Sequence, residues 1–237
     1  MNRMAAAAVL LIAIVSALGA VLLGNWQLRR AESKRALQQA YDTALAATPL
    51  QIETAAQLPA SDAKRPRRVR VQGRFLHEHT VFLDNRMWAG QPGFYVVTPL
   101  ALPDAAVLVV RGWAPQDVTD RARLPLVDRP DGVVEIEALL IDEVPRRLQL
   151  GADSPQGRIR QNLNVDELRA RLPLPLAPAI LQQLSPLPDG LVRDWPRPAT
   201  GVDKHQGYAV QWFSLAALII VLAVVFGWRA WQRQRGA

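Results

Sequence analysis

The chain holds three histidines, His77, His79 and His205, and no cysteine, so any metal chemistry falls to imidazole. Without thiols there are no disulfides, thiolate zinc sites, iron–sulfur clusters or thiol nucleophiles, and no copper delivery through paired thiolates. His205 lies three residues before Tyr208, at the mouth of the apolar run 208–228. Helical spacing places His205, Tyr208, Trp212 and Leu215 along one stripe. An imidazole beside such a surface can ligate a haem iron while the macrocycle packs on the apolar side chains. The other reading is an interfacial histidine that snorkels without a ligand. Ionisable groups at the edge of a membrane are functional candidates by default. Gln211 is the only strongly polar residue of the run besides Ser214.

His77-Glu78-His79 is the other cluster. On a strand, residues i and i+2 face one side and could share a metal. No third ligand stands out, and a polar turn between strands is the more ordinary place for such a pair. The sequence has no Gly-x-Ser-x-Gly elbow, Walker loop, His-Glu-x-x-His or dinucleotide fingerprint. With no nucleophile–base set in view, the chain reads as a non-enzyme. A metal-assisted hydrolase built on His77 and His79 is the weakest alternative.

The elements that carry these residues follow from hydropathy. Residues 4–23 contain no charge and are long enough for a hydrocarbon core of about 30 Å. Trp26, Arg29 and Arg30 then fall where an interfacial belt would lie. A cleaved signal peptide is the alternative, but the apolar run continues past the crude cleavage site at 16–20. The second run is bracketed by Tyr208, Trp212 and Phe213 at one end and Phe226, Trp228 and Trp231 at the other, followed by Arg229, Arg233 and Arg235. Ser16, Ala20 and Gly24 in the first span, and Ala223 and Gly227 in the second, have the spacing of close-packing ridges. The expected organisation is a membrane helix at 4–24, a helical extension at 25–47 and a β-rich domain at 48–204. A membrane helix at 205–228 and a basic tail at 229–237 complete it. Charge does not settle the orientation: arginines follow both spans, and long loops translocate regardless of charge.

Residues 25–47 lack Gly and Pro and read as a helix ending before Pro49, with Leu37, Tyr41 and Leu45 turned inward. Beyond it, short apolar runs at 67–76, 80–85, 94–102, 106–110 and 133–141 are punctuated by Gly, Pro and Asp. They predict an antiparallel sheet or small barrel, giving a membrane α plus β fold class. Asn164 and Glu167 resemble a capping box opening a short helix through Leu172, and 179–184 reads as a further strand.

Every Asp and Glu lies between Glu32 and Asp203. Four of the 28 Lys and Arg residues (Arg3, Arg229, Arg233 and Arg235) belong to the ends, which leaves 24 basic against 21 acidic residues between them. That interleaved balance argues against a nucleic-acid partner. The local cluster Lys64, Arg65, Arg67, Arg68, Arg70 and Arg74 reads as a solvated strand edge or partner contact, with anionic lipid headgroups a lesser reading.

Several stretches together resemble one family. Gly24-Asn-Trp-Gln-Leu-Arg-Arg-Ala-Glu-Ser-Lys34 is similar to a G-x-W-Q-x-x-R-x-x-x-K signature. Gly73-Arg-Phe75, Asn85-Arg86 and Gly90-Gln-Pro-Gly-Phe-Tyr-Val-Val-Thr-Pro-Leu100 follow in order. Val107-Leu-Val-Val-Arg-Gly-Trp-Ala-Pro115 resembles V-L-V-x-R-G-W-x-P, and 205–216 resembles H-x-x-Y-A-x-Q-W-F-x-L-A. The ordered set resembles the Surfeit/Shy family of cytochrome c oxidase assembly factors. The resemblance implies a two-pass protein of the bacterial inner membrane, with both termini cytoplasmic and the β-rich domain periplasmic. It implies a chaperone role in maturing oxidase subunit I, with haem a as a transient cofactor. The implied partners are subunit I, the haem a synthase and the lipid bilayer. It maps the haem ligand onto His205, with Tyr208, Gln211 and Trp212 as pocket or partner contacts. A cofactor-free scaffold that stabilises an assembly intermediate is the alternative. Gly90, Gly93 and Gly112 read as backbone positions needing positive φ or close approach. Trp113 and Pro115 read as closing a strand turn, and Asn85 and Arg86 as capping a turn or meeting a partner.

Overall fold

A computed structural model describes residues 3–59, 66–120, 122–147, 157–197 and 201–235. It comprises two compact units: Met1–Gln39 with Arg197–Ala237, and Ala40–Pro196.

The first unit consists of the greater part of helix α1, Arg3–Ala46, and of helix α3, Val202–Arg235. Both are long and apolar enough to cross a membrane. The expected span and helical extension are thus one uninterrupted helix, as the absence of Gly and Pro through 25–47 requires. Among the described residues, the buried positions of α1 in this unit are Ala17, Ala20, Gly24 and Ala31, a stripe of small residues spaced three, four and seven apart. Ser16 is exposed, so Ala17 takes the place assigned to it. On α3 the buried side is marked by Ala209 and Ala216; Ala223 is half-buried and Gly227 has open space around it.

The second unit is built on eight strands: β1 Leu50–Ile52, β2 Arg67–Phe75, β3 Val81–Trp88, β4 Gln91–Ala101, β5 Ala106–Pro115, β6 Val134–Ile141, β7 Ile159–Arg160 and β8 Leu176–Gln183. Their order is β1-β2-β6-β8-β5-β4-β3-β7, and a further β2–β4 pairing at Arg74↔Ala101 and Phe75↔Leu100 joins β2, β6, β8, β5 and β4 into a closed ring. Closure hides sheet edges that would otherwise template aggregation. The sheet is mixed where the sequence predicts antiparallel: β1–β2, β3–β7 and β5–β8 run parallel. The β5–β8 pair can run parallel because β6 and α2, Val165–Arg171, lie between the two strands in the chain.

Alternation sorts the core. Val69, Val71, Leu100, Val107, Val109, Ile136, Ala138 and Leu181 form one cluster drawn from all five ring strands. Val97, Leu108, Val110 and Ile180 face the other way, against Leu168 of α2. Strand β5 is therefore buried on both faces, and nine of its ten residues are apolar or tightly packed. The Asn164 side chain caps α2 by accepting from the Glu167 amide at 3.1 Å, as predicted.

Two β-bulges re-aim buried cations. Val96 pairs with Gly112 and Val97 with Val110, which leaves Arg111 as the extra residue of β5. A second register shift lies between Leu83 and Arg86, where Asn85 takes a φ of 58°. Gly93 permits the close approach of this region: a Cβ there would meet Ala114 O at 2.3 Å and the Trp113 ring at 2.4 Å. Trp113 is 3% exposed, and its Nε1–H donates to Arg86 O at 2.7 Å. Arg86 is buried, so it serves the core and does not meet a partner; its guanidinium donates to the carbonyls of Pro145 and Gln161. Burial, and then the nearby Arg147, hold it below the ordinary guanidinium pKa.

Arg111 and Asp189 are 1% and 0% exposed and 2.7 Å apart, and Arg193 donates to the same Asp189 oxygen. Removing the charge of a buried partner strands the remaining ions, at about 3–5 kcal/mol. Asp189→Asn keeps the shape but leaves two guanidinia without a carboxylate. A loss of about 3 kcal/mol or more in denaturant unfolding of the full chain, followed by circular dichroism, is expected.

Of the basic cluster, Lys64 and Arg65 lie outside the described residues. Arg68 and Arg70 both pair across the strands with Glu137 of β6, and Arg68 Nη1 also donates to Leu45 O at 2.8 Å, closing the end of α1. Tyr41, half-buried beside it, donates its hydroxyl to Gln182 Oε1 at 3.4 Å. Hydrogen bonds from Arg70 and then Arg68 hold the Glu137 carboxyl below its ordinary range. A depressed carboxylate stabilises the fold above its unfolded pKa and loses that contribution as pH falls through the folded value. Glu137→Gln is therefore less stable than wild type at neutral pH, and urea titrations at stepwise lower pH will show the gap closing.

Candidate functional site

The membrane-helix unit brings two distant stretches together at one polar contact. The Nδ1 atom of His205, in the first turn of α3, lies 2.7 Å from Gln27 Oε1 of α1, and both side chains are half-buried. One turn before Gln27, Gly24 makes room for the Phe213 ring: a Cβ at that glycine would stand 2.7 Å from Phe213 Cε1. The two helices approach at Gly24, and the longer Gln27 side chain spans the gap that opens toward His205.

An amide carbonyl only accepts hydrogen bonds, so the Gln27 contact places the neutral ring's proton on Nδ1. Nε2 is then left with its lone pair, and it makes no hydrogen bond among the described residues. An imidazole with one nitrogen fixed by a hydrogen bond and the other free as a base is arranged as a metal ligand normally is.

The predicted stripe divides in two. At 3.6 residues per turn, His205, Ala209, Trp212 and Ala216 fall within an arc of about 60°. Ala209 and Ala216 are buried and Trp212 half-buried, so this is the inward side. Tyr208, Gln211 and Leu215 lie off it and are exposed, Tyr208 by 52%. Tyr208 and Gln211 thus present a surface beside His205 and do not close around it. Gln27 is the residue missed as a site member. It lies within the G-x-W-Q stretch quoted above, but a lone amide at a helix mouth carries no sign of its partner.

His77 and His79 occupy a 3-10 turn between β2 and β3, not a strand. His77 Nε2 sits 3.2 Å from Pro130 O, and His79 Nε2 is 3.7 Å from the Glu78 carboxylate. Among the described residues no three His, Asp or Glu side chains gather closely enough to hold a metal ion.

The profile of the SURF1 family matches residues 14–217, which include both helices at the Gln27–His205 contact. The chain belongs to the SURF1 family. A SURF1-like protein of Rickettsia felis is 27% identical over 217 residues, covering 87% of this chain and 91% of its own. A SURF1-like protein of Monosiga brevicollis is 27% identical, covering 85% of this chain and 81% of its own. The cytochrome oxidase assembly protein SHY1 of Saccharomyces cerevisiae is 31% identical over 97 residues, which is 40% of this chain and 25% of that protein.

The geometry makes Gln27 the residue that sets the His205 tautomer. In 15N spectra of the full chain with labelled histidine, the neutral His205 ring should be in the Nδ1–H form. Gln27→Leu should return it toward the tautomer mixture of free histidine, without loss of helix content by circular dichroism.

Proposed function

We propose that this chain is an assembly factor for cytochrome c oxidase, not an enzyme, which holds haem a transiently through His205 on the way to oxidase subunit I. The reading rests on the Gln27–His205 contact, which leaves Nε2 as an unencumbered base at the mouth of an apolar helix. Its biological setting is taken from the yeast relative, whose name is that of a cytochrome oxidase assembly protein.

Each residue has a part. His205 Nε2 donates its lone pair to the haem iron. Gln27 fixes the ring plane and keeps the proton on the far nitrogen. Trp212 and Tyr208 offer aromatic surface for the macrocycle, and Gln211 a polar edge for the ligand or a partner subunit. A single imidazole would suit cargo that must be released. The partners in this scheme are the haem a synthase as donor and subunit I as acceptor. Both termini lie in the cytoplasm, with Arg229 at the inner face, and the β-rich unit lies in the periplasm; reporter fusions at the termini and within 116–120 read that orientation.

The deciding experiment is a visible spectrum of the chain purified from cells that make haem a. Wild type should retain a haem a band. His205→Ala should lose it, and Gln27→Leu should retain about tenfold less, as is typical when the group orienting a metal-bound histidine is removed. Equal retention by wild type and His205→Ala removes the ligand role and leaves the cofactor-free scaffold, which predicts co-purification with oxidase subunits whatever stands at 205.

A further inference from the structure

A cavity of about 330 Å³ opens in the β-rich unit, lined by Arg111, Arg129, Arg158, His77, Thr80 and Phe82 together with the turn 124–127. Among the described residues no carboxylate lines it. Its volume is at the low end of the range for small-molecule sites, about 300–1,000 Å³. Nothing in the haem reading uses it.

The charges around it do not cancel. Asp189 serves both Arg111 and Arg193, so that trio keeps one positive charge. Arg158 and Arg129 have no carboxylate within ion-pair distance among the described residues. The carbonyl of Asp128 accepts from Arg111 Nη2 at 3.2 Å, but the Asp128 side chain is exposed and is not part of the lining. Burial, and then the charge of Arg129, hold Arg158 below the ordinary guanidinium pKa. These are like charges held close to one another without a counter-ion among the described residues.

Two of the three guanidinia, those of Arg158 and Arg111, are also held in place before any ligand arrives. Arg158 lies 5.3 Å over the Phe82 ring, with Nε on Thr80 O at 3.1 Å and Nη2 on His77 O at 3.3 Å. Arg111 lies 4.7 Å over the Phe75 ring and is anchored by Asp189. Its β-bulge is what turns it here. In both, Nη1 makes no hydrogen bond among the described residues. Stacked, anchored guanidinium planes with a free donor edge are the arrangement that binds carboxylates and phosphates in bidentate fashion. A merely solvated basic surface would leave its arginines mobile and outside a cavity.

We propose that this cavity is a binding site for a small carboxylate- or phosphate-bearing anion, held by Arg158 and Arg129 with Arg111 behind them. A phosphate can come free from solution or as the headgroup of a lipid. The two sources share the recognition chemistry, and titration separates them.

Inorganic phosphate, succinate and sn-glycerol 3-phosphate, the last standing for a lipid headgroup, are each titrated by calorimetry into the full chain in neutral detergent. Ionic strength is held constant with sodium chloride. Saturable binding of at least one is expected, weakened about tenfold or more in Arg129→Gln and in Arg158→Gln. Tighter binding of glycerol phosphate than of inorganic phosphate assigns the site to a headgroup, the reverse order to the free ion, and binding of succinate alone to carboxylates. Arg129 is exposed and carries no structural hydrogen bond among the described residues, so its variant stays folded even if Arg158→Gln does not. No saturable binding by any probe, or equal binding by wild type and Arg129→Gln, overturns the proposal.

Discussion

A charge taken out of water must find a partner in the fold, and the β-rich unit meets that constraint chiefly at one carboxylate. Asp189 is fully buried and takes both Arg111 and Arg193. The pairing fixes the end of β5, where Trp113 and Val192 exchange backbone hydrogen bonds at 2.7 and 2.9 Å. Arg86 is treated differently: it is neutralised by no acid among the described residues and instead donates to two carbonyls beside the Tyr95 ring. Hydrogen bonding is incomplete, since the Nε atoms of Arg86, Arg111 and Arg193 are buried without partners among the described residues. Each such atom costs about 1–3 kcal/mol. Aromatic faces under Arg86 and Arg111 offset part of that cost.

Local chemistry was legible in the sequence where one residue's neighbours decide its state. The alternation of 67–76 and 133–141 marks β2 and β6, and the uninterrupted helix formers of 25–47 mark the continuation of α1. Asn164 announces α2 for the same reason. The three parallel pairings were not legible, because pairing direction depends on which distant strand fills a place in the ring. Strands β1 and β7, three and two residues long, carry too little pattern to register at all. Nor do bulges show: Arg111 sits in an apolar run and reads as a flaw in a strand, while the structure makes it the residue the strand bends to place.

The candidate site divides along the same line. His205 stands out because an ionisable side chain at the mouth of an apolar helix is rare, and that rarity is a property of composition. Spacing alone runs its stripe through Tyr208 and Leu215, but helical phase relative to a second helix is not a local quantity. The inward side runs instead through Ala209 and Ala216, the small residues that a close helix pair needs. Gln27 was invisible as a site residue because its importance comes entirely from a contact across 178 positions of sequence.

That contact also ties two stretches of the family pattern to a single physical requirement. A histidine at a helix mouth has two tautomers, and the wrong one presents an N–H where a ligand needs a lone pair. Any acceptor can hold the Nδ1 proton, but a carboxylate would bring a charge that the apolar setting penalises. The glutamine amide is neutral, turns its oxygen toward Nδ1 here, and sits on a side chain long enough to cross from α1. The closeness of Gly24 to Phe213 keeps that reach within 2.7 Å. Read this way, Gly24, Gln27 and His205 are one device: the glycine sets the spacing of the helices, the amide sets the proton, and the imidazole is left with one free lone pair to offer.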